Sequence, residues 1–194
     1  MHYKLILFLV ANTFCCLLGG MEGSSTTLLL PVNHTVPNER KVTLAVVAPA
    51  SFRSVSLPNA SVQEFIPKID NDPYKWSQQI TTQIYKDKQT SARDVVQIFK
   101  KTFCEKLKGQ VLDATGSETP DYCLKKLAMV YEFKNRRELL LVQYVSGPAD
   151  CAGMQYALPL SSELDASQAL AKAEEFMNKH VKLLIGPDPS NEID

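Results

Sequence analysis

Trp76-Ser-Gln-Gln-Ile-Thr-Thr-Gln-Ile-Tyr85 is the stretch whose reading decides the fold, and it satisfies two periods at once. As a strand it places Trp76, Gln78, Ile80, Thr82 and Ile84 on one side. As a helix it stacks Trp76, Ile80 and Ile84 at four-residue steps, so composition must arbitrate. Two threonines, two isoleucines and a tyrosine fit a pleated surface, and the β-branched ones lose rotamer freedom on a helix. A strand over residues 78–85 is expected, with Trp76 packed under the helix that follows.

That helix is the clearest in the chain. Ser91 and Asp94 form a capping pair, so the first backbone donors find acceptors. Val95, Phe99, Phe103 and Leu107 recur every four residues with Val96 beside them, and Gly109 is the natural stop. Residues 110–122, rich in Gly, Ser and Thr, read as a loop. Working outward, residues 41–48 predict a strand, and 54–57 a short partner for it before Pro58. Residues 127–133 and 138–145 predict a hairpin across Lys134-Asn-Arg-Arg137. Leu139 to Val142 are apolar without alternation, which predicts cover on both faces. Residues 154–160 add a strand. Asp165 caps a last helix with Leu170, Ala173, Met177, Val181 and Leu184 as its stripe, and Gly186-Pro187 ends it. The expected fold class is α+β: one antiparallel sheet of about five strands packed against two main helices, 91–108 and 166–184.

Residues 1–20, with Lys4 near the terminus and a short apolar run, have the layout of a secretory signal peptide. The run is broken by Asn12 and Thr13 and is short for a membrane span, an uncleaved anchor being the alternative. Gly19, Gly20 and Gly23 are the candidate cleavage positions. The expected organisation is a leader (1–20), a flexible tether (21–40) in which Leu28–Leu30 could add an edge strand, a single α+β domain (41–186) and an acidic tail (187–194). The chain is then exported, to a periplasm or the medium, with no stable membrane insertion once the leader is removed. Without the leader, 20 basic residues face 21 acidic ones, which gives no electrostatic case for nucleic acid. Asn33-His-Thr and Asn59-Ala-Ser match the glycosylation sequon.

Cys104, Cys123 and Cys151 follow the leader, and in an exported chain an odd count implies one disulfide and one spare thiol. Of the three pairings, Cys104 with Cys123 is favoured, because it ties a helix end to the loop entering the next strand. Closing that loop is worth about 3 kcal/mol in the chain-entropy model. No Cys-x-x-Cys pair exists and only His34 and His180 lie beyond the leader, so structural zinc is not expected. Asp70-Asn71-Asp72 opens like a calcium loop but meets Lys75 and Thr81 where Gly and Glu are needed. No metal or cofactor is expected.

Two resemblances add to this reading. Glu64-Phe-Ile-Pro67, then Trp76-Ser-Gln-Gln-Ile-Thr81 before a capped helix, resembles a group of uncharacterised exported bacterial proteins with a Trp-[Ser/Thr]-Gln-x-Ile-Thr strand ahead of the main helix. It implies a periplasmic or secreted protein and no catalytic residues. Gln143-Tyr-Val-Ser-Gly147 resembles the Gln-x-Val-x-Gly signature of cystatin-type cysteine-protease inhibitors, which implies a hairpin that wedges into a protease cleft. An extra strand intervenes, and neither the Pro-Trp pair nor the paired late disulfides of that family are present.

The function expected is therefore a non-catalytic exported binding or interaction module for an unknown protein or small molecule. Its ligand surface would lie near Trp76, Tyr85 or Tyr156. The alternatives are the inhibitor using Gln143–Gly147 and a small hydrolase with Cys151 as nucleophile and His180 as its base.

Overall fold

β5 (Gln79–Tyr85) forms where the branched and aromatic residues predict it, and Trp76 stays outside, in the loop leading to its first residue. The computed structural model describes residues 25–32, 41–55, 61–72, 75–86, 90–133, 135–147, 150–161 and 165–186. The expected leader, residues 21–24 and 33–40, both sequon asparagines, His34 and the acidic tail lie outside them.

The remaining strands are β1 (Thr26–Val32), β2 (Lys41–Ala48), β3 (Phe52–Val55), β4 (Val62–Pro67), β6 (Gln110–Glu118), β7 (Cys123–Phe133), β8 (Arg136–Ser146), β9 (Cys151–Pro159) and β10 (Val181–Gly186). The helices are α1 (Ala92–Lys106) and α2 (Ala166–His180). All pairings are antiparallel. One sheet has seven strands in the order β3-β4-β5-β9-β8-β7-β6, and a second has three in the order β1-β2-β10. The expected single sheet of about five strands is thereby overturned: the chain is mostly β and builds two sheets.

Four unexpected strands account for the difference: β1, β6 and β10, each at an edge, and the inner β4, which no expected strand covers. β6 stands where a loop is expected, because Ala114–Glu118 are exposed and no apolar alternation marks them. β10 stands where the end of the last helix is expected. That helix stops at His180, and Val181 turns to extended backbone (φ −126°, ψ 126°), sending Leu183 and Ile185 into pairing with β2. β1 occupies part of the expected tether and pairs with β2 along its whole length, with Leu28–Leu30 inside it. β3, expected to partner β2, pairs with β4 instead.

β8 carries the core on both faces, as its unbroken apolar run predicts. Leu139, Leu141 and Val145 face the three-stranded sheet and α2. Leu140, Val142 and Tyr144 face α1. The first face joins Leu30, Val42, Leu44 and Val46 to Met154, Tyr156, Ala173 and Met177. The second joins Val95, Phe99 and Phe103 to Leu127, Met129 and Tyr131. The seven-stranded sheet is therefore a partition between two separate cores.

Both helix starts match their sequence signals. Ser91 Oγ accepts from Asp94 N (3.1 Å) while Asp94 Oδ2 accepts from Ser91 N (3.2 Å). Asp165 Oδ1 accepts from the backbone of Ser167 and Gln168, each at 2.8 Å. The stop of α1 is finer than a single glycine: Lys108 takes the left-handed conformation (φ 51°), and Gly109 N donates to Phe103 O (2.9 Å). A Cβ on Gly109 would meet that same oxygen at 2.9 Å. The β7–β8 hairpin is tighter than the four-residue loop expected, with Asn135 at φ 64° supplying the reversal.

The expected Cys104–Cys123 disulfide is not formed: Cys104, Cys123 and Cys151 are free thiols. The reason is geometric. Cys123 opens β7 opposite Ser146, whose Oγ holds the first turn of α1 at Ala92 N (3.0 Å). Cys104 belongs to the last turn of α1, where Phe103 meets Tyr131 edge-on at 4.6 Å. Twelve residues of helix separate those ends by roughly 18 Å, against the Cα separation of about 5.5–6 Å that a disulfide requires.

A close contact lies where β8 pairs with β9. Tyr144 is fully buried and opposes Gly153, where an added Cβ would stand 2.0 Å from the Tyr144 ring. Glycine is the residue that lets the ring lie flat on the neighbouring strand. Replacing Gly153 with Ala should cost about 2–3 kcal/mol, because the ring has no empty space to enter. Urea unfolding of the variant checks this, and an unchanged midpoint would refute it.

Candidate functional site

The three aromatic residues expected to mark a ligand surface do not come together. Tyr156 sits on the three-stranded-sheet face, 3% exposed, stacked on Phe176 at 4.3 Å and donating to Gln78 Oε1 (2.9 Å). Burial raises its pKa to about 12. Tyr85 lies on the opposite face, tilted against Tyr144 with centroids 6.1 Å apart, and burial pushes its hydroxyl well above the ordinary value. Trp76 is half-buried at the edge of the α1 core. Its ring is already occupied: the Arg136 guanidinium stands 4.0 Å over it and donates to the Trp76 carbonyl (2.5 Å).

Arg136 continues into a buried chain of polar groups. Its Nε stands 3.0 Å from Glu138 Oε1 without an aligned hydrogen bond, and Tyr131 donates its hydroxyl to the same carboxylate. Burial raises both acids, with the Glu138 carboxylate a further cause for Tyr131. This cluster fastens the loop before β5 to the β7–β8 hairpin, so Trp76 acts as a latch for the fold.

Cys151 and His180 stand on opposite sides of the seven-stranded sheet. Cys151 is fully buried in the α1 core, and burial holds its thiol up at about 12. His180 ends α2, stacked on Phe176 at 4.4 Å with Nδ1 3.0 Å from the Val47 carbonyl. Its pKa is lowered, chiefly by burial. A nucleophile and its base must be within hydrogen-bond reach, so this pair is no catalytic dyad. The inhibitor signature fails on equally plain grounds. Gln143, Tyr144, Val145 and Ser146 are buried in β8, paired to β7 on one side and β9 on the other. A strand held on both edges presents no wedge. Asp70, in the expected turn, accepts from Ser77 N (2.6 Å) and Ser77 Oγ (2.9 Å). Among the described residues no group of three or more His, Cys, Asp or Glu side chains is placed to hold a metal ion. Nor is any described helix long and apolar enough to cross a membrane.

Two features escape sequence reasoning. The first is a polar row under the α1 side of the sheet, where Glu64, Thr81 and Gln155 sit side by side on β4, β5 and β9. Gln155 Nε2 donates to Tyr144 Oη (2.9 Å), and Tyr144 in turn reaches Gln83. Glu64 is 4% exposed; burial raises its pKa from 4.5 to about 7, opposed by a hydrogen bond from Gln79. The alternation Gln79, Thr81, Gln83 on β5 was the available signal, since it predicts a polar face.

The second is a cleft of about 530 Å³ where α1 passes over the β6–β7 edge, walled by Arg93, Val96 and Gln97 on one side and Ala114, Gly116 and Lys125 on the other. Glu118 carries the charge pattern here: its Oε2 lies 2.7 Å from Arg93 Nη2 and 3.7 Å from Lys125 Nζ. Gly116 opposes Lys125, and a Cβ there would stand 2.9 Å from Lys125 Cδ, so the missing side chain is what lets the lysine stem cross the strand.

The arrangement defines a mostly β protein in which an antiparallel seven-stranded sheet separates one helix from a second layer of helix and small sheet. No protein-family model matches the chain, and no curated relative matches it. Among solved structures it is similar to LpqN of Mycobacterium tuberculosis, described as involved in cell envelope biogenesis, with 14% identity, 83% of this chain and 92% of that chain covered, and a TM-score of 0.50. A structure from Bacteroides thetaiotaomicron VPI-5482 aligns at 8% identity over 76% of this chain and 46% of that one, with a TM-score of 0.42. At 14% identity the likeness to LpqN is one of fold.

The Glu64 carboxyl makes stability depend on pH in a defined direction. Its folded pKa lies above the ordinary value, so the folded state holds a proton that the unfolded chain releases between pH 4.5 and about 7. Stability contributed by this group is complete below pH 4.5 and is lost as pH rises toward 7. Glu64→Gln, which cannot ionise, should be more stable than the parent by roughly 3 kcal/mol at pH 8, with the gap closing by pH 4. Urea titrations at the two pH values measure it, and a gap that grows on acidification would refute the assignment.

Proposed function

We propose that this chain is an exported, non-catalytic binding module that takes its ligand in the cleft between α1 and the β6–β7 edge. The observation that carries the reading is that open concavity, walled by a helix and two strands and mixing the apolar Val96 and Ala114 with charged and polar side chains. Small-ligand sites are concave, of ~300–1,000 Å³, with a few placed polar groups on rigid elements. The cleft matches in volume and concavity, and its lining is mostly charged and polar. Export is supported by the leader-like N-terminus and by the resemblance of the Trp76–Thr81 run to exported bacterial proteins. That LpqN, a protein of the same fold, is described as involved in cell envelope biogenesis agrees with such a location.

Two measurements test it. Expressed in a bacterial host, the chain should be recovered outside the cytoplasm with its N-terminus following Gly19, Gly20 or Gly23; a full-length cytoplasmic product overturns export. A small-molecule fragment screen by ligand-observed NMR should yield binders that Ala114→Trp, at an exposed position of the cleft wall, abolishes. Binders that survive this substitution would move the site elsewhere.

A further inference from the structure

We infer that the cleft recognises a small oxyanion, a carboxylate- or phosphate-bearing molecule, and that Glu118 is its internal stand-in. The inference rests on the binding-module reading and adds the ligand class. Two of the cleft walls present cations toward one point: Arg93 from the first turn of α1 and Lys125 from β7. The Glu118 carboxylate occupies that point, within 4 Å of both. A carboxylate in this place shows what geometry the two cations accept.

The three side chains differ in how firmly they are held. Lys125 is only 25% exposed, its stem laid across Gly116, where any larger residue would collide with it and with the Leu124 carbonyl. Its ammonium is thus positioned by the fold. Arg93 and Glu118 are 59% and 54% exposed. An exposed ion pair contributes little net free energy, so Glu118 can swing out at small cost and leave both cations to an incoming anion. Arg93 supplies a planar fork suited to two oxygens of one carboxylate or phosphate, and Lys125 a point charge beside it. The cleft volume of about 530 Å³ suits a small molecule. Val96 and Ala114 offer apolar wall to its carbon skeleton.

The test titrates the mature chain with inorganic phosphate and with citrate, at constant ionic strength, following backbone amide shifts by NMR. Both the phosphate and the carboxylate arm should give saturable shifts at residues 93–97 and 114–118, and whichever arm binds tighter identifies the oxyanion source. Glu118→Gln should bind about fivefold tighter, and Lys125→Gln and Arg93→Gln about tenfold weaker, with melting temperatures reporting that each variant is folded. Equal affinity of Glu118→Gln and the parent overturns the stand-in role. Absence of saturable shifts with both anions overturns the inference while leaving the binding-module reading intact, provided uncharged fragments still bind in a manner that Ala114→Trp blocks. A hexaglutamate peptide that binds where phosphate and citrate do not also overturns it, in favour of an acidic polypeptide.

Discussion

The Tyr144 ring lying flat on Gly153 is the contact on which the rest of the seven-stranded sheet depends. It sits where β8 and β9, two inner strands of the sheet, pair side by side, and it is fully buried. Phe99 of α1 meets it at 5.8 Å and Tyr85 of β5 at 6.1 Å. Gln155 donates to its hydroxyl, which keeps a buried oxygen satisfied. One ring thereby joins the helix, three strands and a polar row. Strand pairing alone would leave the register of β8 on β9 free to slip, and a slip of one residue would exchange the two faces of both strands. Because only glycine fits beneath the ring, register and packing are set by one contact.

That register turns the sheet into a partition, with direct consequences for chemistry. Side chains that are close in the sequence sort to opposite cores, so Cys151 and Tyr156 face away from each other although both lie on β9. His180 and Cys151, which look like a nucleophile and base on paper, are kept apart by a layer of hydrogen-bonded backbone. Buried acids are likewise committed to structure. Glu138 receives the Tyr131 hydroxyl and holds Arg136, and Arg136 covers Trp76. What stays open to solvent is the edge of the sheet, where α1 overhangs β6 and β7 and where the pair Arg93–Glu118 is exposed. The buried centre builds the fold, and the overhanging edge carries the cleft proposed as the ligand site.

Much of this was legible in the sequence wherever burial leaves a period. The β-branched run after Trp76, the capped four-residue stripe of α1 and the unbroken Leu139–Val142 run each reappear as the element they predict. Edge strands were not legible. Ala114–Glu118 of β6 carry no apolar alternation because both of their faces meet water. Val181 and Leu184 fit a helical stripe as well as a strand, and pairing with β2 decides between them. The candidate ligand residues failed for a related reason: aromatic identity marks Trp76, Tyr85 and Tyr156 but does not tell which face of the sheet each one joins. The cleft carries still less signal, since Arg93 and Lys125 lie 32 positions apart among many other surface cations.

By itself, then, the sequence determined the class of the elements: strands where branched residues cluster, helices where a capped stripe recurs, and an N-terminus with the layout of a leader. Local sterics, rotamer freedom and capping act over a few residues, so a few residues suffice to read them. Only the tertiary structure decided how many sheets there are, which thiols are beyond each other's reach, and which cations converge on Glu118. Those outcomes depend on register and on which face of a strand meets which layer. They are settled by contacts such as Tyr144 on Gly153, between residues whose meeting no local pattern announces.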